Sequence, residues 1–198
     1  MHPVRSFVNG FDAGRSLVAD DADLSYDGYR VLKVSAVTAQ EYRPEKSKRV
    51  PDGYSPPASH VVRPGDLLFS RANTSELVGA SAYVWATPQR MLLSDKLWRF
   101  RWVAPSPVEP LFVNSLFHTA FVRREIARRA TGTSGSMKNI SQSKVGDIVV
   151  PIPPKDLQVE FAAQVRLARR EFEATQSGSA HLDKLFASLQ ARAFAGEL

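Results

Sequence analysis

A chain of 198 residues with 43% hydrophobic side chains is long enough to bury a core, as one domain with an appendage or as two small domains. It has no cysteine, which excludes disulfides, thiolate metal sites and cysteine nucleophiles. With 26 Lys+Arg against 20 Asp+Glu, its net charge of +6 and pI near 9.8 favour polyanionic partners such as nucleic acid, although solubility alone explains the same excess.

Residues 1–28 show no sustained periodicity and read as loop, with one short strand near Val4–Val8 and an acidic cluster at Asp20-Asp21-Ala22-Asp23. Tyr29–Ser35 alternates apolar and polar side chains for part of its length, the pattern of a half-buried strand. Glu41–Pro57 combines Lys46, Lys48 and Arg49 with four prolines and reads as a long surface connection. After the Pro64-Gly65-Asp66 turn, Leu67–Ser70 is a strand, and Ser70, Arg71 and Asn73 project from its end. Arginine suits guanine O6 and N7 and asparagine suits adenine N6 and N7, so these residues fit base reading. Equally, Arg71 pairs with Asp66 or Asp95 and holds the domain together; both readings stand.

Leu77–Ala86 reads as a further strand. Leu97–Val103 is the clearest alternation in the chain, with Trp98, Phe100 and Trp102 on one side and Leu97, Arg99, Arg101 and Val103 on the other. The aromatic side is assigned to the core, and Arg99 and Arg101 to the surface as phosphate contacts. Pro110 opens a helix over residues 111–129, whose four arginines spread around its circumference. Thr131–Ser136 is a flexible small-residue loop tipped by Met137-Lys138-Asn139-Ile140. Ser141 caps a short turn that holds Lys144, and Asp147–Val150 reads as a buried strand ended by Pro151, Pro153 and Pro154.

From Lys155 onward the pattern is helical. Leu157, Phe161, Val165, Ala168 and Phe172, then Leu182, Leu185, Leu189 and Phe194, recur at spacings of three and four, an apolar seam that needs a partner helix. Thr175–Ala180 interrupts it, and Gly178 marks a kink, a hairpin or a costly point in a continuous helix.

Thr131–Gln158, Pro64–Arg71 and the closing Phe194–Leu198, taken together and in this order, resemble the specificity subunits of type I restriction-modification systems over most of residues 29–198. The resemblance implies an α/β (α+β) target recognition domain at residues 1–153 and a long coiled-coil-type helical spacer at 154–198. It implies a DNA-reading set of Ser70, Arg71, Asn73, Arg99, Arg101, Ser134, Ser136, Met137, Lys138, Asn139, Ser141 and Lys144. The spacer residues Leu157, Phe161, Val165, Phe172, Leu182, Leu185, Leu189 and Phe194 would form the dimer and subunit interface. Full-length members carry two such halves, so one half is expected to act as an antiparallel homodimer on double-stranded DNA. Its other expected partners are modification subunits, which carry S-adenosylmethionine and methylate adenine, and a separate motor-nuclease restriction subunit.

The four histidines, at positions 2, 60, 118 and 181, show no ligand spacing, and no phosphate-binding glycine motif occurs, so neither a metal nor a cofactor is expected in this chain. Ile152-Pro153-Pro154-Lys155 lacks the amide and the aromatic of an amino-methyltransferase motif, and a non-catalytic role is expected. No apolar run approaches the roughly 20 residues that span a bilayer, and no signal-peptide core follows Met1, so a cytoplasmic location is expected. The competing reading is a protein-interaction adaptor with a basic surface.

Overall fold

The computed structural model describes residues 1–17, 20–21, 27–134 and 137–194. Two compact units divide the chain, Met1–Lys155 and Asp156–Leu198. In chain order the first unit contains β1 (His2–Pro3), β2 (Val8–Ala13), β3 (Asp20–Asp21), β4 (Arg30–Leu32), β5 (Ser47–Arg49) and β6 (Leu67–Ser70). After these come β7 (Ala72–Asn73), β8 (Ser81–Tyr83), β9 (Met91–Leu92), β10 (Leu97–Trp102), the helices α1 (Pro110–His118) and α2 (Ala120–Arg129), the strands β11 (Thr131–Ser134) and β12 (Met137–Asn139), the short helix α3 (Gln142–Gly146) and β13 (Val149–Val150). A single long helix, α4 (Lys155–Phe194), follows.

The frame is a four-stranded antiparallel sheet in the order β2-β10-β6-β8. All four residues of β6 are buried, because both faces of the sheet are covered. On one face Phe11, Phe69, Trp98 and Phe100 pack with α1 through Phe117 and with Val122 and Ile126 of α2. The other face carries Leu68, Ala82 and Leu97 against Leu32 and Met91 of a second sheet, ordered β3-β5-β4-β9. The aromatic side of β10 is therefore core, as its alternation indicates.

The amino-terminal expectation is corrected. Residues 8–13 form an inner-sheet strand, with Phe11 opposite Phe100, although Gly10 and Asp12 interrupt the apolar pattern. Glu41–Pro57 is not one surface connection, since Ser47–Arg49 pairs with β4 and with Asp20–Asp21. The expected helix over 111–129 is two helices. Thr119 turns extended between them, its Oγ1 donating to the Leu116 carbonyl (2.7 Å) and accepting from the Val122 amide (3.4 Å), so one hydroxyl ends α1 and caps α2. Pro110 is the first residue of α1, where its missing N–H costs nothing. Asp147–Val150 is only partly buried: Ile148 and Val150 face inward, Val149 is exposed, and Asp147 pairs with Arg5 on the surface.

α4 runs continuously through Gly178, whose missing side chain has open space around it. The expected kink or hairpin at Thr175–Ala180 is absent. Among the described residues no helix is long and apolar enough to cross a membrane.

Candidate nucleic-acid interface

Backbone pairing brings together two segments that lie some sixty residues apart in sequence. β11 and β12 form an antiparallel hairpin, and β12 pairs in turn with β7, setting Lys138 opposite Asn73 and Asn139 opposite Ala72. The Ile140 amide donates to the Arg71 carbonyl (3.0 Å) and extends the zipper by one step. Thr131–Ser134 is thus a strand rather than a flexible loop. Gly132 is required in it: at φ +150°, a side chain there would stand 2.3 Å from the Met137 carbonyl oxygen.

Residues directly opposite in an antiparallel pair project from the same face, so Lys138 and Asn73 share one face of this small sheet. The Lys138 ammonium donates to the Gly132 carbonyl (2.7 Å), bracing the hairpin. Asn73 is fixed at both ends of its amide. Its Oδ1 accepts from the Thr74 amide (2.9 Å), and its Nδ2 lies 3.4 Å from the buried Ser70 hydroxyl. Asn139 is half-buried at the end of β12, and Met137 is exposed. Ser134 contributes backbone pairing with Met137, and Ser136 lies outside the described residues.

Several residues assigned to DNA from the sequence are engaged within the fold. Ser70 is fully buried, its hydroxyl directed to the Ala72 carbonyl. Arg71 donates through Nε to the main-chain carbonyl of Asp95 (2.8 Å) and lies 5.9 Å over the Trp98 ring, so its structural reading holds with a carbonyl in place of the anticipated carboxylates. Arg99 is not a surface cation. Its guanidinium meets Asp12 (2.7 Å), Asp66 (3.3 Å) and the carbonyls of Ser59 and Val61, because the face of β10 that carries it is covered. Burial pushes the Asp66 carboxyl up, while the Arg63 amide and Arg99 pull it down. Gly65, at φ +93°, makes the turn that presents this aspartate. Arg101, one pleat on, is exposed and only 3.5 Å from Asp12.

The helix leading into the hairpin is clamped. Arg128 and Arg129 both bind Glu125 and hold its carboxyl below the usual range. Arg123 donates to the Glu76 carbonyl (2.6 Å), and Gly79, at φ +79°, lets α2 approach so closely that a Cβ would lie 2.5 Å from Ile126. Ser141 caps α3 through the Lys144 amide (3.3 Å), as its position indicates. The Lys144 ammonium donates to the Arg129 carbonyl (3.0 Å), closing the carboxyl end of α2 instead of standing free for phosphate.

No family model matches the chain. Among curated proteins it is similar to the type I restriction enzyme EcoEI specificity subunit of Escherichia coli, 25% identical over 163 residues, which cover 82% of this chain and 27% of that protein. It is also similar to the EcoKI specificity subunit of E. coli strain K12, 29% identical over 177 residues, covering 86% of this chain and 38% of that one. The relatives are type I specificity subunits. This chain spans well under half the length of either. In fold it resembles the S subunit of a type I restriction-modification system from M. genitalium (TM-score 0.56, 12% identity, 89% of this chain and 40% of the other). It likewise resembles the HsdS subunit from Thermoanaerobacter tengcongensis (TM-score 0.52, 16% identity, 100% and 45%).

Two features that shape the candidate site escaped the sequence reading of this specificity-subunit-like chain. The β7–β12 pairing joins a two-residue strand to a three-residue one, too short for any periodicity to register. The closure of α2 by Lys144 depends on a turn fifteen residues downstream. A lysine shortly after a helix end is only a faint sign of such a cap.

Proposed function

We propose that this chain is a non-catalytic DNA-specificity subunit of a type I restriction-modification system. In this reading its first unit recognises one half-site of a bipartite duplex target, and the assembly positions methyltransferase subunits that carry S-adenosylmethionine and methylate adenine. A restriction subunit would join for cleavage, and a second copy of the chain would supply the other half-site. The names of the relatives support the specificity role. The observation that carries the site is the β7–β12 pairing, which draws the Arg71–Asn73 and Met137–Asn139 segments into one sheet with Met137 exposed beside Lys138 and Asn73. Asn139 and Met137 are then the leading candidates for base edges, with Arg101 for the phosphate backbone. Ser70, Arg71, Arg99 and Lys144 act as positioning residues.

The test is a genome-wide map of N6-methyladenine in the source organism with the gene present and deleted. Disappearance of one interrupted motif on deletion is the expected result; an unchanged map in a strain whose modification subunit is active would overturn the proposal. The adaptor reading draws on the exposed apolar row of α4. Binding of duplex DNA that weakens steeply with salt separates the two, because phosphate contacts release counterions and an apolar docking face does not.

A further inference from the structure

The apolar residues of α4 follow a strict seven-residue repeat, finer than spacings of three and four. Phe161, Ala168, Thr175, Leu182 and Leu189 form one core row, and Val165, Phe172 and Phe186 belong to the other, each set four residues after a member of the first. A sustained seven-residue repeat on one helix generates a left-handed seam for a partner helix. The seam is exposed: Phe172 by 56%, Leu182 by 65% and Phe186 by 63%. Residue sizes along it then choose among the possible partners.

We infer that α4 is built to pair with the α4 of a second copy, antiparallel, in the one register that sets Val165 against Leu189, Ala168 against Phe186 and Phe172 against Leu182 of the partner helix. The two-fold axis repeats each contact, so these three pairs make six core layers. Every layer joins a larger side chain to a smaller or comparable one, which keeps its volume near that of a native core. By sequence, the repeat also sets Thr175 against Ser179 at the centre and Phe161 against Ala193 at the ends.

Other arrangements lack this match. Slid by one heptad in one direction, Phe161 meets Phe186 and Phe172 meets Thr175; slid in the other, Thr175 meets Phe186. A parallel pair in register stacks Phe172 on Phe172 and Ala168 on Ala168, alternating overfilled layers with voids. The antiparallel register is thus self-complementary, which a face meant for an unrelated helix has no reason to be. This inference deepens the second-copy part of the proposed function and is independent of DNA recognition.

A size swap tests it in the full chain by sedimentation equilibrium without DNA. The unaltered protein is expected at twice its 21.9 kDa mass. Ala168→Phe and Phe186→Ala each should weaken dimerisation about tenfold or more, by overfilling or emptying the same layer. Combined in one chain they should restore it to near the original value. Positions 168 and 186 are 18 residues apart, about 27 Å along one helix, so they compensate only across an antiparallel pair. Tryptophan fluorescence of the Trp98 environment checks that the first unit stays folded in every variant.

Because the chain lacks cysteine, single thiols give a second readout. A mixture of Phe172→Cys and Leu182→Cys chains should crosslink to each other, and neither should crosslink to itself. A monomeric wild type, a double variant no better than the weaker single one, or self-crosslinking of Leu182→Cys would each overturn the pairing. Dimerisation and rescue without any duplex binding would uphold the pairing and remove the DNA reading; duplex binding by a monomer would do the reverse.

Discussion

The inner sheet of the first unit and the long helix α4 are written with the same side chains, phenylalanine, leucine and valine, yet one hides them and the other shows them. In the sheet every large ring has neighbours from distant parts of the chain: Phe69 stacks on Trp98 at 5.9 Å, and Phe100 meets Phe117 edge-on at 5.3 Å. In α4 the equivalent residues stay exposed from Leu157 to Phe194. A local pattern decides which element forms and which face is apolar. Whether that face is satisfied depends on the presence of a complementary surface, and only the first unit contains its own.

The sharpest way to separate the two regions is to damage each in turn. Phe69→Ala should destabilise the first unit by about 3–5 kcal/mol, as expected for a large buried ring whose cavity collapses only partly, and chemical denaturation followed by tryptophan fluorescence reads it. Arg99→Ala comes next, at about 3 kcal/mol in the same assay, because Asp12 and Asp66 are left without the cation that joins them. Asn139→Ala should reduce affinity for the methylated motif by about 1–3 kcal/mol while binding to random duplex stays within error. An equal loss on both would make Asn139 a positioning contact. Leu182→Glu with Leu189→Glu should leave the unfolding of the first unit within about 0.5 kcal/mol of wild type and abolish the dimer. A large shift in that unfolding curve would erase the contrast between the regions.

The smallest effect concerns pH. Burial holds the His118 imidazole below its ordinary value of 6.5, opposed by its bond to the Ser81 carbonyl and helped by Arg123. As pH falls below 6.5 the unfolded chain binds the proton first, so this contribution to stability is full above that value and declines toward the lower folded one. His118→Gln should flatten the stability profile in that window and leave it unchanged above pH 7. A profile that keeps its slope in the variant would assign the dependence to other groups.

Much of the frame was legible beforehand. The alternation of β10, the Leu67–Ser70 strand, the Pro110 start of α1 and the Ser141 cap each rest on short-range rules that the structure obeys. β2 was not legible, since Gly10 and Asp12 break its pattern; Gly10 lies against Arg101, and Asp12 holds Arg99 and Arg101. The site was legible in its segments but not in its roles. Arg71, Arg99 and Lys144 looked available because sequence shows charge without showing its neighbours. Each turned out to be held by a carbonyl or carboxylate from elsewhere in the chain.

The sequence by itself determined what depends on residues a few positions apart: which segments are helix or strand, which face is apolar, the turns that need glycine, and the heptad repeat of α4. Tertiary structure alone decided which polar groups are consumed by the fold and which remain exposed, and that the hairpin after α2 joins the edge next to Arg71. The reason is physical. Periodicity and capping are local free energies, whereas burial, ion pairing and short-strand pairing are settled by partners that the order of residues does not name.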